Sequence, residues 1–170
     1  DQVRRLADAC RKVGIEFMAS VFDVERVEWL EEVGVRRYKL ASRSVQDQAL
    51  INAVCRTGKP VIVSLGMWGE SGFPRIPSVR PVDFLYCISK YPTPLEEVHL
   101  GSVDFTRYAG FSDHTIGCAA AMAALARGAR ILEKHFSVDK NRAGPDHALS
   151  MTTDELSTID LFRRELNKCL

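Results

Sequence analysis

Five serines recur at a nearly constant interval, each at or near the end of an apolar run. Ser20, Ser42, Ser64, Ser89 and Ser112 stand 22, 22, 25 and 23 residues apart. The runs cover residues 15–20, 38–42, 60–64, 84–89 and 110–114, and a sixth covers 131–136. Short, nearly continuous apolar runs of this kind predict parallel strands buried on both faces. Helical patterns fill the intervals. Val3, Leu6, Cys10 and Val13 share one helical face, as do Val24, Val27 and Leu30, and then Leu50, Ile51 and Val54. An Ala-rich helix is expected around Cys118 to Ala126. The last helix opens on Thr152-x-x-Glu155, a capping box, and continues through Leu156, Ile159, Phe162 and Leu166.

A polar residue closing each of several successive parallel strands is the pattern of a (β/α)8 barrel, whose chemistry sits at the C-terminal strand ends. The serines could equally cap the turn or helix that follows. A doubly wound nucleotide-binding sheet would carry a Gly-rich fingerprint, and neither GxGxxG nor GxxxxGK[ST] occurs. Six runs stand where a closed barrel has eight, and the chain opens on a helix. The expected fold is therefore α/β: an incomplete (β/α)8 TIM-type barrel of about six β/α units, a single domain over residues 1–170. The two open sheet edges are an association hazard, and a homodimer is among the expected assemblies. Three irregular stretches follow strand ends: the Gly- and Pro-punctuated 65–77, with at most a short turn, then 91–94 and 141–147.

Composition narrows the partners. Lys plus Arg is 23 and Asp plus Glu is 22, a net charge of +1, which argues against nucleic acid as a partner. No apolar run approaches the ~20 residues of a membrane span. The start, Asp1-Gln2-Val3-Arg4-Arg5, is no signal peptide and has no Met, so preceding sequence or processing is expected. The five cysteines lack CxxC spacing and lie mostly in apolar segments, as free thiols in a reducing cytoplasm would.

His114 and His135 end two consecutive runs, 21 residues apart. Adjacent strand ends would let both imidazoles reach one divalent ion such as Mn²⁺, Fe²⁺ or Zn²⁺. The other reading is two separately hydrogen-bonded histidines. Asp113 and Glu133 stand beside them, placed to orient imidazoles or accept protons. His147 could approach on its loop, and His99 reads as surface. Lys39 and Lys134 lie inside or at the end of apolar strands, where an ammonium is costly unless it meets an anion. Ringed by serine hydroxyls they would form a phosphate or carboxylate pocket, or else they snorkel to the surface. No GxSxG elbow supports a hydrolase.

Four motifs carry a family resemblance: Tyr38-Lys39-Leu40-Ala41-Ser42; Gly58-Lys59-Pro60-Val61-Ile62-Val63-Ser64 with Gly66-Met67; Phe111-Ser112-Asp113-His114-Thr115; and Glu133-Lys134-His135-Phe136. Gly144-Pro145-Asp146-His147 follows in order. Together they resemble the sialic acid (N-acetylneuraminate) synthase family along almost the whole chain. The resemblance implies a (β/α)8 barrel that condenses phosphoenolpyruvate with an N-acylated amino sugar, N-acetylmannosamine-like, to a nonulosonic acid and phosphate. It implies a divalent metal, typically Mn²⁺, on His114 and His135. It implies phosphoenolpyruvate contacts at Lys39, Ser20, Ser42, Ser64, Ser89 and Ser112, sugar contacts at Tyr91 and Asp146, and charged groups at Glu133 and Lys134.

The sequence departs from the family at several points. Ser89 stands where Asn is usual, and Arg43-Ser44 where a sugar-contacting Glu is frequent. Ala19-Ser20-Val21-Phe22 replaces Ser-Thr-Pro-Phe, and Gly66-Met67 leads into Trp68-Gly69 rather than a helix. Members also carry two earlier strands and a C-terminal antifreeze-like domain, and the resemblance implies that residues 1–170 correspond to the barrel portion between them. Two further readings stand beside the synthase: a phosphoenolpyruvate-aldose synthase with another sugar, and a truncated barrel that binds a ligand or partner without catalysis.

Overall fold

In the computed structural model, which describes residues 2–170, six strands lie at or near the six apolar runs, with the first shortened to two residues. α-Helices stand between the first and second strands, the second and third, and the fifth and sixth, but not between the third and fourth or the fourth and fifth. The chain divides into two units, Asp1–Asp83 and Phe84–Leu170.

The first unit runs α1 (Gln2–Val13), β1 (Ser20–Val21), α2 (Val24–Glu32), β2 (Tyr38–Leu40), a 3-10 turn (Ser42–Ser44), α3 (Gln48–Arg56) and β3 (Val61–Ser64). β1 pairs parallel with β2, Ser20 opposite Lys39, and β2 pairs parallel with β3, Lys39 opposite Ile62. Every residue of β2 and β3 is buried, which is why both read as continuous apolar runs. Asp23 and Asp47 cap α2 and α3, their side chains accepting from the amides of Arg26 and Leu50. Gly34 ends α2 at φ 73°, donating to Glu31 O while Val35 donates to Leu30 O. A left-handed residue is required there, and glycine adopts it at no steric cost. Leu50, Ile51 and Val54 are buried on α3, as expected.

The apolar face expected on α1 forms, but it is not a core face. Leu6 is 57% exposed and Val13 71%, and only Ala7 is buried. Val24 on α2 is likewise 40% exposed, while Val27 and Leu30 are buried. Periodicity aligns side chains on one face but does not supply an element to cover it. The segment after β3 forms no helix, as its glycines and prolines predict, and Trp68 Nε1 closes it on Gly72 O at 3.0 Å.

The second unit carries all but the first two residues of β4 (Val82–Cys87), then β5 (Gly110–Asp113), α4 (Ala119–Ala126), β6 (Ile131–Lys134) and α5 (Thr153–Cys169), with 3-10 turns at Leu95–Glu97 and Leu100–Ser102. The strands are parallel, Cys87 opposite Ser112 and Ser112 opposite Glu133. Phe111 packs with Val98, Leu100, Val103 and the alanines of α4, whose small side chains let the helix lie close to β5. Beyond β6 the sheet extends by a parallel bridge between Phe136 and Met151.

The Thr152–Glu155 capping box predicted for α5 is present. Glu155 N donates to Thr152 Oγ1 at 3.3 Å, and Thr152 N donates to Glu155 Oε2 at 2.7 Å. That backbone donor, with Lys140 3.2 Å away, holds the Glu155 carboxyl below its usual range. A carboxyl with a depressed folded pKa stabilises above its unfolded pKa and loses that contribution as pH falls through the folded one. Thr152→Ala is therefore expected to cost about 1 kcal/mol in urea unfolding at neutral pH. Glu155→Gln should flatten the acid limb of the stability profile. An unchanged limb would show that Glu155 does not sense folding.

Candidate active site

In the second unit the register does most of the assembly. Parallel partners leave the sheet on the same face, and alternate residues along a strand share a face. Ser112 and Glu133 are partners, and Ser112 Oγ donates to Glu133 Oε2 at 2.5 Å. His114 and His135 stand two residues further on, just past the strand ends, and their ring centroids are 5.4 Å apart.

His114 is held from several sides. Its Nδ1 lies 2.8 Å from Ile88 O, so that nitrogen carries the proton and Nε2 keeps its lone pair. Its own carbonyl accepts from Thr93 N at 2.9 Å. The Tyr91 ring lies 4.1 Å from the His114 ring and 5.9 Å, edge-on, from that of His135. Asp146 reaches His135 from the 137–151 loop, Oδ2 3.8 Å from Nδ1. Burial pushes both imidazole pKa values down, and for His135 the neighbouring His114 adds to the fall. Both rings are therefore held toward the neutral form, which is the form that binds a metal. Burial also pushes the Tyr91 phenol up.

The donor set, two imidazoles whose pKa values burial pushes down, is of the kind that a borderline divalent ion takes. Among the described residues no group of three or more His, Cys, Asp or Glu side chains gathers that could hold a metal ion. Ser89 is half-buried on the loop after β4.

The structure corrects two expectations here. Asp113 and Lys134 are also partners, but on the alternate face from Ser112, Glu133 and the histidines. Lys134 Nζ donates to Asp113 Oδ2 at 2.7 Å and to Thr115 O at 2.6 Å, with the two side chains 2% and 0% exposed. Lys134 is therefore not an unmatched positive charge for an anion pocket, because Asp113 answers it. Asp113 for its part holds Lys134 and Thr115 N rather than an imidazole. His147 stays on its own loop, its Nδ1 2.8 Å from Ser137 Oγ. His99 is exposed, as expected.

In the first unit Ser20 and Lys39 are partners on one face, and Ser64 shares that face two residues beyond Ile62. Lys39 is buried at 3% exposure, with Nζ 3.3 Å from Leu40 O, so it does not snorkel to solvent. Ser42, on the 3-10 turn, accepts from Gly66 N at 3.0 Å, which ties the end of β2 to the segment after β3. Three contacts escaped the sequence reading. The Ile88 carbonyl and the Thr93 amide are backbone groups with no residue signature. The Arg43 guanidinium stacks on Phe22, 4.1 Å from the ring centroid, across 21 residues.

Comparison with known proteins places the chain in a family and a fold. The match to the NeuB family covers residues 1–170. The chain is 37% identical over 170 residues to the uncharacterized protein MJ1065 of Methanocaldococcus jannaschii, covering 94% of this chain and 50% of that one. It is 32% identical over 170 residues to N-acetylneuraminate-9-phosphate synthase of Homo sapiens, covering 94% and 47%. The crystal structure of N-acetylneuraminic acid (sialic acid) synthetase from Leptospira borgpetersenii serovar Hardjo-bovis, in complex with citrate, superposes with a TM-score of 0.87 at 29% identity. That superposition covers 98% of this chain and 62% of that one. The chain spans about half the length of the curated relatives it matches. Six parallel strands with helices between most of them, and polar side chains at the strand ends, define an incomplete (β/α)8 barrel of the α/β class. Within that class the chain belongs to the NeuB family. No helix among the described residues is long and apolar enough to cross a membrane.

Proposed function

We propose that the chain is the barrel core of a metal-dependent transferase that condenses phosphoenolpyruvate with an N-acylated amino sugar. The observation that carries this reading is the His114–His135 pair, two rings held toward neutrality 5.4 Å apart, beside the Ser112–Glu133 hydrogen bond. A divalent ion there, Mn²⁺ by preference, supplies Lewis acidity toward an aldehyde oxygen.

The remaining roles fall to the chain's own groups. In the first unit, buried Lys39 with Ser20, Ser42 and Ser64 offers an ammonium and hydroxyls to an anion. In the second unit, Ser89 and Ser112 offer further hydroxyls, and Glu133 can take or return the Ser112 proton. Tyr91 and Asp146 stand beside His135 and are the groups offered to the acceptor sugar. In the reaction, carbon 3 of phosphoenolpyruvate forms a bond to the aldehyde carbon. Water adds at carbon 2, and phosphate leaves. Lys39 and the hydroxyls hold the charge in place as it moves. The reaction is assigned to the cytoplasm, where the chain's free thiols stay reduced.

The test is calorimetric titration with Mn²⁺. The wild-type chain should bind one ion, and the His114→Ala/His135→Ala variant should lose that binding. A variant that keeps wild-type affinity, or a wild-type chain that binds nothing, overturns the assignment.

A further inference from the structure

We propose that Lys134 is a positioning residue: its buried ammonium, bound to Asp113 and Thr115, fixes the separation of the His114 and His135 rings. The proposal deepens the synthase reading above, on which its consequence for metal affinity rests.

The paired register of β5 and β6 ends at Asp113 and Lys134, one residue short of both histidines. The two rings therefore stand past the last rung of the ladder, where strand pairing no longer holds them at a set distance. Lys134 carries the connection beyond that rung. Its Nζ donates to Asp113 Oδ2 at 2.7 Å and to Thr115 O at 2.6 Å, so one ammonium grips the residues on either side of His114. Thr115 N donates to Asp113 Oδ1 at 2.8 Å, which closes a tight turn with His114 at its centre. On the other strand Lys134 is the residue bonded to His135, whose carbonyl accepts from Met151 N at 2.8 Å. Both histidines are thus fastened to the same ammonium through short stretches of backbone.

Burial makes the grip stiff. Lys134, Asp113 and Thr115 are closed off from solvent, so water does not compete for these donors and acceptors. Other ion pairs of this unit, Lys90–Glu97 and Arg163–Asp160, are open to solvent. Desolvation offsets much of what a buried pair contributes to stability, and its best-attested use is to select one arrangement over others. The arrangement selected here is the 5.4 Å between the two ring centroids. Because the ammonium lies on the face opposite the imidazoles, it acts on them through the His114 backbone and touches no substrate.

The test compares the 170-residue chain with its Asp113→Leu/Lys134→Met variant, which removes both charges together. Proton NMR of the metal-free chain reads the nuclear Overhauser contact between the two imidazole rings, and calorimetry reads Mn²⁺ affinity. Wild type should show the ring contact. The double variant should unfold cooperatively and keep the amide contacts between β5 and β6. It should lose most of the ring contact and bind Mn²⁺ about tenfold more weakly, the scale of disturbing what orients a metal ligand. Asp113→Asn fills the same space and turns one acceptor oxygen into an N–H donor, so it should show a smaller loss of both, and it carries the test if the double variant does not fold.

A folded variant with the wild-type ring contact overturns the proposal, as does a wild-type chain whose rings show no contact. Loss of the ring contact together with the β5–β6 contacts also overturns it, because the pair would then hold the sheet rather than the histidines. A wild-type chain that shows the ring contact and binds no Mn²⁺ sinks the synthase reading, while loss of the ring contact in the variants still supports the positioning role.

Discussion

Lys134→Met is expected to destabilise the chain by about 3–5 kcal/mol, the scale for breaking a buried ion pair from one side. The ammonium sits 2.7 Å from Asp113 Oδ2 and 2.6 Å from Thr115 O, and neither charged side chain has appreciable contact with water. Removing the lysine leaves a fully buried carboxylate with the Thr115 amide as its remaining hydrogen-bond donor among the described residues. It also strips a donor from the Thr115 carbonyl. The loss should therefore exceed that of an exposed pair such as Arg163–Asp160, which solvent screens. The double variant Asp113→Leu/Lys134→Met should recover much of the loss, because replacing both partners removes the uncompensated charge. Urea unfolding of wild type, both single variants and the double variant completes the cycle. A Lys134→Met chain with wild-type stability would show that the pair carries no such load.

Gly110→Ala is expected to prevent the second unit from folding. A Cβ at residue 110 would lie 1.8 Å from Ile131 O, 2.6 Å from Ile131 C and 2.9 Å from its Cα. All three are backbone atoms of the partner strand, so no side chain can swing aside to make room. Gly110 and Ile131 are register partners, and separating them parts β5 from β6 along the rungs that carry Ser112–Glu133 and Asp113–Lys134. The control is Gly101→Ala, where an added Cβ meets nothing within 4 Å. Gly110→Ala should lose soluble yield and cooperative unfolding, and Gly101→Ala should keep both. A well-folded Gly110→Ala chain would mean that the strands can separate without cost.

Much of the fold was legible because its signals are local. The serine interval marked the ends of parallel strands, since each β/α unit uses a similar length of chain. Thr152 and Glu155 announced the start of α5 because a capping box closes within one turn. Glycines and prolines ruled out a helix after Ser64 for the same local reason. The approach of His114 to His135 followed from their equivalent positions on consecutive strands, although the Ile88 carbonyl that sets the His114 tautomer left no trace in residue types.

Lys134 shows where that reading stopped. In sequence it is a lysine beside a glutamate and a histidine, and the motif groups all three. In the sheet, alternation turns it to the face opposite Glu133, where the register brings it to Asp113, 21 residues away. Arg43 and Phe22 meet across the same number of residues, through the pairing of β1 with β2. The apolar stripe of α1 was legible as a stripe, but its exposure was not. By itself the sequence determined the order and kind of elements, the caps, the break after β3 and the residues at each strand end, because these depend on neighbours within a few positions. Only the tertiary structure decided which charges are matched and which apolar faces are covered. Those outcomes depend on strand register and on contacts between residues distant in the chain, and local propensity does not encode them.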